Sequence, residues 1–241
     1  MKYKLTYFTI VLATVAVISL IIFTQKYHKE RFLKNIRIIV DTSVRIFFIN
    51  DQDIKRLIFT TYGAISRKKL HEINTLEIEK KLDSHPFIQK SEVFLTTDGM
   101  LNVIVRQQEP VLRIKDGIKS YYLTKEGQLM PLSPTYATEV ILAEGPFSKE
   151  DRKKLISLIS YINIDKLLKN QIIGIRKVAS NSFNLITQIN HYIIAFGSLM
   201  DLDVKFGKLK AFYEQYLDKI ETNQYKMIYL QYKNQIVAIK R

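Results

Sequence analysis

A run of twenty uncharged residues near the amino terminus constrains this chain more than any other feature. Residues 5–24 read LTYFTIVLATVAVISLIIFT. As a helix rising about 1.5 Å per residue, the run is about 30 Å long, which matches the hydrocarbon thickness of a bilayer. It is longer than the apolar part of a usual signal peptide, and no small-x-small cleavage pattern follows it. The run therefore predicts an uncleaved membrane helix, with a cleaved signal peptide and a buried core helix as alternatives.

Charge does not fix the orientation of this helix, because basic residues flank the run on both sides. They lie at positions 2 and 4 before it and at 26, 29, 31 and 34 after it. A long domain can cross a membrane regardless of its charge, and the absence of cysteine fits an oxidising compartment. We therefore expect residues 1–4 to be cytoplasmic and the bulk of the chain to be extracytoplasmic.

The residues beyond the apolar run show no signature of chemistry. The chain carries 37 Lys and Arg against 23 Asp and Glu, a net charge of +14, but without a helix-turn-helix, RNP or zinc-finger pattern we expect no nucleic-acid binding. The lack of cysteine excludes a thiol nucleophile and Cys-ligated metals. The four histidines are scattered, and GxSxG, GxGxxG and Walker A patterns are absent. We expect no enzyme activity, no cofactor and no metal.

Behind a polar linker, residues 25–35, the spacing of apolar residues predicts a small domain with the order β-α-α-β-β. Asn50 or Asp51 is expected to cap the first helix, which ends at Gly63, and Thr75 to cap the second. Alternating apolar residues predict extended segments at 36–40 and 44–49 and a hairpin formed by 93–95 and 101–105 around Asp98-Gly99.

Beyond Pro110 the pattern changes to short strands in hairpins, interrupted by two helices with apolar stripes. Ser148 and Asp151 predict a capping box for the first helix, which presents Leu155, Ile159 and Ile162. The second helix is predicted at 208–220, and the last strands at 227–232 and 235–239, with one strand expected near 140–142. The predicted fold class is α+β: a transmembrane helix, a small β-α-α-β-β domain and a mainly antiparallel β domain with two or more packed helices.

Three segments in this order resemble a known family. The first runs from Pro86-Phe87-Ile88 into the alternating hairpin strands, the second is Arg106-Gln107-Gln108-Glu109-Pro110-Val111, and the third, residues 228–234, reads IYLQYKN. They resemble the bacterial cell-division family FtsQ/DivIB, whose second and third patterns are E-R-x-P-V-A and I-D-L-R-Y-x-N. Here glutamines replace the charged pair of the second pattern, and Leu112 stands where alanine is usual.

The resemblance implies both a domain plan and a function. The plan is a cytoplasmic tail at 1–4, a transmembrane helix at 5–24, a linker at 25–35, a POTRA domain at 36–110 and an FtsQ-type β domain at 111–241. The function is a non-enzymatic divisome scaffold, a single-pass protein of the cytoplasmic (inner) membrane at the division septum. It recruits the bitopic proteins FtsB and FtsL and so links early division proteins to the septal synthase formed by FtsW and FtsI.

The resemblance also implies a partner site. In the family the β domain binds FtsB by strand addition near the I-D-L-R-Y strand, which corresponds here to Tyr229, Leu230, Gln231 and Tyr232. Gln231 stands at the arginine position and cannot form an ion pair, whereas main-chain pairing does not depend on side-chain identity. Strand alternation would place Tyr229 and Gln231 on one face and Leu230 and Tyr232 on the other, with core packing as the alternative role for Leu230 and Tyr232.

Two other functions remain open. A POTRA domain also suits outer-membrane protein assembly or polypeptide transport, although repeated POTRA domains and barrel strands are not evident in the sequence. A membrane-anchored cell-wall hydrolase is the other alternative, because a carboxylate pair assembled from distant strands leaves no local motif.

Overall fold

The structure is a computed structural model that describes residues 2–29, 31–65, 68–189, 191–216, 225–233 and 235–241, with only the backbone described at 2–9, 24–29 and 216. The chain divides after Gln108 into an N-terminal unit, residues 1–108, and a C-terminal unit, residues 109–241.

The N-terminal unit begins with helix α1, Lys2–Lys29. All side chains described in it, those of residues 10–23, are exposed. Within the part of the chain that the structure describes, no helix is both long enough and apolar enough to cross a membrane. The predicted span at 5–24 extends at both ends past the side chains that are described.

The rest of this unit has the predicted order β-α-α-β-β. Its elements are β1 (Asn35–Val40), α2 (Asp51–Tyr62), a 3₁₀ turn (Leu70–Glu72), α3 (Thr75–Asp83), β2 (Ile88–Leu95) and β3 (Met100–Gln107). The sheet order is β1-β3-β2, with β1 parallel and β2 antiparallel to β3. The two helices bury Ile54, Ile58, Ile78 and Leu82 in a core completed by the sheet.

Asparagines cap α2 and α3. Asn50 forms a capping box with Asp53, because its side chain accepts from the Asp53 N–H at 3.1 Å and the Asp53 carboxylate accepts from the Asn50 N–H at 3.1 Å. The prediction that Thr75 caps α3 is wrong. Thr75 is the first helical residue, and Asn74 before it accepts from the Glu77 N–H at 3.2 Å.

The extended stretch predicted at 44–49 is not a strand. Instead of pairing with the sheet, this segment binds the buried side-chain amide of Gln107, whose Oε1 accepts from the Ile49 N–H at 3.0 Å and whose Nε2 donates to the Ile46 carbonyl at 2.8 Å. The apolar residues that suggested a strand, Ile46, Phe48 and Ile49, are buried without one. The Gln107 side chain thus gives the Ile49 N–H and the Ile46 carbonyl the hydrogen-bond partners that a neighbouring strand would otherwise provide.

In its described residues, the C-terminal unit is a mixed nine-stranded sheet with three helices. Its elements are β4 (Pro110–Asp116), β5 (Lys119–Thr124), β6 (Leu129–Pro131), β7 (Ile141–Glu144), α4 (Lys149–Ile164), α5 (Lys166–Gln171), β8 (Ile172–Ala179), β9 (Ser182–Thr187), β10 (Ile193–Gly197), α6 (Leu202–Tyr216), β11 (Tyr225–Tyr229) and β12 (Val237–Lys240). The strand order is β12-β11-β10-β9-β8-β7-β4-β5-β6. The predicted α+β class is confirmed.

One predicted hairpin strand has a different role. The strand near 140–142 is β7, which pairs parallel with both β4 and β8. Since parallel neighbours need a crossover connection, α4 and α5 lie between β7 and β8 in the chain. The Ser148–Asp151 capping box at the start of α4 is confirmed. Helix α6 begins at Leu202, earlier than predicted, and the end of the predicted helix, residues 217–220, lies outside the described residues.

The helices cover one face of this sheet. Its register aligns one row of residues across six strands, buried except for the partly buried Ala238: Ala143, Ile175, Leu185, Ile194, Ile228 and Ala238. This row belongs to the same core as Leu155 and Ile159 of α4, Leu168 of α5 and Leu209 of α6. Because side chains alternate along a strand, the neighbouring residues lie on the opposite, outer face of the sheet.

A partly buried ion pair joins the start of α4 to β8. Lys177 Nζ lies 2.7 Å from Asp151 Oδ2, and the two side chains are 18% and 12% exposed. Burial alone would raise the pKa of Asp151, but hydrogen bonds from Lys177 and Ser148 outweigh it and hold that pKa below its ordinary value. The carboxylate therefore stabilises the folded state at neutral pH.

We expect Gln107→Leu to lower the free energy of unfolding by about 2–4 kcal/mol, because two buried backbone groups lose their partner. Urea denaturation followed by far-UV circular dichroism measures this loss. Gln52→Leu, at an exposed position in α2, is the control and should change stability by less than about 0.5 kcal/mol. Equal effects of the two substitutions would contradict the role given to Gln107.

We expect Asp151→Asn to destabilise the protein by about 2 kcal/mol at neutral pH, because Lys177 loses a partly buried partner. The pKa of Asp151 is lowered in the folded state. Its contribution to folding stability is therefore complete above the ordinary carboxyl pKa of about 4, and it is lost as the pH falls through the lowered pKa. Thermal unfolding of both proteins between neutral and acidic pH tests this. Glu150→Gln, at a pair whose carboxylate is 76% exposed, should have little effect.

Candidate functional site

The C-terminal hairpin, β11 and β12 with their connecting turn, occupies one margin of the nine-stranded sheet. Strand β11 is internal: it pairs parallel with β10 and antiparallel with β12. Strand β12 is the last in the sheet order, so its other side has no partner strand among the described residues. The backbone open to another chain is therefore that of Val237–Lys240 and not that of Tyr229, which is paired on both sides.

Tyr229 is half-buried on the outer face of the sheet. It ends β11, and the register aligns it with Ala195 of β10 and Val237 of β12. A second row crosses the same face two residues before Tyr229 along β11. It consists of Leu142, Gly174, Ile186, Ile193, Met227 and Ile239. Its members are apolar, and Ile239 at the margin is 45% exposed. The outer face beside β12 is thus an apolar surface.

The other three predicted partner residues follow β11 and differ sharply in exposure. Leu230 is fully buried in the core, and its N–H donates to the Ala195 carbonyl at 3.0 Å. Gln231 is exposed, and Tyr232 is 42% exposed with its ring 6.1 Å from that of Tyr229. The expectation that Tyr229 and Tyr232 lie on opposite faces is wrong, because the strand ends at Tyr229 and alternation does not continue into the turn.

Two lysines of α6 hold the turns at this end of the sheet. Lys208 Nζ donates to the carbonyls of Tyr232 at 2.6 Å, Leu230 at 3.3 Å and Lys233 at 3.4 Å. Lys205 Nζ donates to the Ser198 carbonyl at 2.6 Å, after β10. Burial lowers the pKa of Lys205, Asp201 opposes that shift and Lys208 adds to it. The three hydrogen bonds that the Lys208 ammonium donates fix the start of the β11–β12 turn.

A glycine permits the close approach of two of these turns. Gly197 has a φ of 72°, and a Cβ added to it would lie 2.9 Å from the Cβ of Gln231. Any side chain at position 197 would therefore displace Gln231 and the turn that follows β11.

The C-terminal unit also buries a network of hydrogen-bonded tyrosine hydroxyls, whose role is to stabilise the fold. Tyr192 Oη donates to Tyr213 Oη at 2.5 Å, and Gln171 Nε2 donates to Tyr192 Oη at 2.9 Å. Burial is the first cause that raises the pKa of both tyrosines, so both stay neutral at physiological pH. Within the described ranges, no three His, Asp or Glu side chains come together as a metal site requires.

Comparisons with known proteins assign both units. Residues 32–106 match the POTRA-like domain, and residues 109–239, more than half of the chain, match the family described as FtsQ/DivIB, C-terminal related. The chain belongs to the FtsQ/DivIB family. Membership of this family indicates a role in bacterial cell division.

Other comparisons add little to this assignment. One solved structure, the major extracytoplasmic domain of the trans isomer of the cell division protein DivIB from Geobacillus stearothermophilus, shares 9% identity with this FtsQ/DivIB chain. The TM-score is 0.34, and the match covers 47% of this chain and 98% of that one. No curated protein sequence matches the chain.

Two features of the C-terminal hairpin lie outside the residues that the family resemblance indicated. The exposed strand is β12, which follows the segment that resembles the family motif. Lys208 lies on a helix whose other residues suggested only core packing, and its contacts with the turn depend on folding. A basic residue in an apolar helical stripe was the available signal.

We expect Lys208→Met to loosen the β11–β12 turn, because three carbonyls lose a charged donor while the side-chain length is kept. Hydrogen–deuterium exchange of residues 230–240 should accelerate by roughly tenfold, as expected for a loss of about 1.5 kcal/mol. Lys210→Met is the matched control, since Lys210 lies on the same helix but pairs with Asp165. Unchanged exchange in Lys208→Met would show that the ammonium does not hold the turn.

Proposed function

We propose that this protein is a non-enzymatic scaffold of the bacterial division machinery. It recruits FtsB- and FtsL-like bitopic proteins and connects them to a septal synthase of the FtsW/FtsI type. The proposed plan keeps residues 1–4 in the cytoplasm, 5–24 in the inner membrane and 25–35 as a linker. The POTRA domain at 36–110 and the β domain at 111–241 then lie outside the cytoplasm at the septum.

The free edge of β12 is the observation that carries this proposal. An edge strand presents unpaired N–H and C=O groups, which another chain can bind by adding a strand. The other margin of the nine-stranded sheet is less open, because β6 is three residues long and ends in Pro131. Strand β12 has four residues, and Val237 and Ile239 on its outer face are 38% and 45% exposed.

The four residues that correspond to the family motif lie around this edge, and each has a different role. A strand paired with β12 would extend the outer face, where Tyr229 and Val237 form its apolar border. Gln231 and Tyr232 lie at the end of β12 where the turn enters it, in reach of the same partner. Leu230 supports the site from the core. Gln231 offers a neutral amide where the family arginine offers a charge, so the partner contact rests on main-chain and apolar interactions.

The exposed side chains of α1 support the membrane part of the proposal. Between Ile10 and Phe23, ten large apolar side chains are each more than half exposed. The stretch from Ile10 to Phe23 is apolar on all sides, as suits contact with lipid, although no described helix is both long and apolar enough to span a membrane.

We expect Val237→Lys to weaken capture of FtsB about tenfold or more, because a charge on the outer face of an edge strand opposes strand addition. The measurement is co-purification of FtsB with the tagged full-length chain from detergent-solubilised cells, quantified by mass spectrometry. Val178→Lys is the matched control, since Val178 is 51% exposed on the internal strand β8.

A point substitution is preferable to truncation, because removing β11 and β12 would take Ile228 and Leu230 out of the core. Undiminished FtsB capture by Val237→Lys would reject the β12 edge as the site. Absence of FtsB from the wild-type preparation would reject the partner itself.

A further inference from the structure

The POTRA-like domain has its own open sheet margin, at β1. Strand β1 pairs only with β3 among the described residues. The Asp41 N–H donates to the Val105 carbonyl of β3 at 2.8 Å. Successive backbone groups of a strand point to opposite sides, so the N–H groups of Val40 and Ile38 point to the open side.

The chain itself pairs along this margin, just before β1. Phe32 and Lys69 form an antiparallel bridge, in which the Leu33 N–H donates to the Lys68 carbonyl at 3.1 Å. The next N–H, that of Lys34, donates to Gly99 beside β3 at 2.9 Å, so residues 68–70 lie on the side away from β3. The backbone geometry of this margin therefore accepts an added strand. Beyond Leu33 no second strand lies there among the described residues, although the Ile36 N–H donates to Asn35 Oδ1 at 2.8 Å.

The opposite margin of the same sheet is closed by side chains of α3. The Ser91 N–H of β2 donates to Asp83 Oδ1 at 2.7 Å, and the Val93 N–H donates to Glu79 Oε1 at 2.7 Å. These carboxylates take up donors that an added strand would need. Within this domain, strand addition is thus favoured at β1 and disfavoured at β2.

A groove lies between β1 and α2 next to the open margin. Its volume is about 430 Å³, and Ile36, Ile58, Phe59 and Ile65 contribute its apolar walls. Phe59 is 61% exposed. On the helix-facing side of β1, Ile36, Ile38 and Val40 are only partly buried, although they pack on the core. An added strand would place every second side chain in this groove.

The rim of the groove is basic. Lys55 and Arg56 of α2 border it, and no carboxylate contributes to its described lining. Arg56 is paired with Asp53, but Lys55 has no ion pair among the described residues. A partner with carboxylates beside its apolar residues complements this rim.

We propose that the β1 margin and this groove form a second peptide-binding site. Its ligand is an extended segment of another protein, which adds as a strand beside residues 36–40, inserts a large apolar side chain next to Phe59 and places Asp or Glu near Lys55. This site is independent of the C-terminal hairpin.

The test uses random dodecapeptides displayed on phage and selected on the purified full-length chain in detergent micelles. Selected sequences are synthesised, and their affinities are measured by fluorescence anisotropy. We expect peptides with Asp or Glu beside a large apolar residue, and their affinity should fall about tenfold or more in Phe59→Glu and severalfold in Lys55→Glu. Phe94→Glu, at a 45% exposed position on β2, is the matched control.

Hydrogen–deuterium exchange distinguishes strand addition from insertion into the groove alone. The bound peptide should slow exchange at Ile38 and Val40, whose N–H groups face the open side. If no selected peptide loses affinity in Phe59→Glu, or if binding leaves exchange in β1 unchanged, the proposal is wrong. Val237→Lys should leave peptide affinity unchanged, so failure of the β12 proposal is separable from failure of this one.

Discussion

The need of every backbone N–H and C=O group for a hydrogen-bond partner governs this structure, and the two sheets meet it differently at their margins. Where a strand ladder stops, a side chain often takes its place. The Gln107 amide bonds residues 46 and 49, Glu79 and Asp83 bond β2, and the Lys208 ammonium bonds three carbonyls after β11. On the outer sides of β1 and β12, the described residues supply one such substitute, the Asn35 side chain that accepts from the Ile36 N–H at 2.8 Å, and both proposed binding sites lie there.

The C-terminal unit combines this open margin with a one-sided core. Its helices cover the row that contains Ile194 and Ile228, while the adjacent row with Ile193 and Met227 faces outward. No described helix of this unit covers the other face of the sheet, and apolar residues there are half-exposed beside β12. A partner strand at β12 would extend the hydrogen-bonded ladder and this apolar face together.

The departures from the family pattern have a physical explanation in one case. Gln107 and Gln108 replace a charged pair, and both are buried. A neutral amide can donate and accept within a dry environment, whereas a lone charge there would be costly. At Gln231 the side chain is exposed, and nothing in the structure explains why arginine is absent.

The sequence by itself determined the elements whose signals are local. The apolar period of α2 and α4, the Ser148–Asp151 box, the Asp98-Gly99 turn and the β-α-α-β-β order depend on residues within a few positions of each other. The tertiary structure decided which strands are neighbours, and therefore that β7 is internal, that residues 44–49 form no strand, and that β12 and β1 lie at open margins. Pairing joins residues far apart in the chain, and the free energy that selects it comes from burying whole rows of side chains, which no local pattern records.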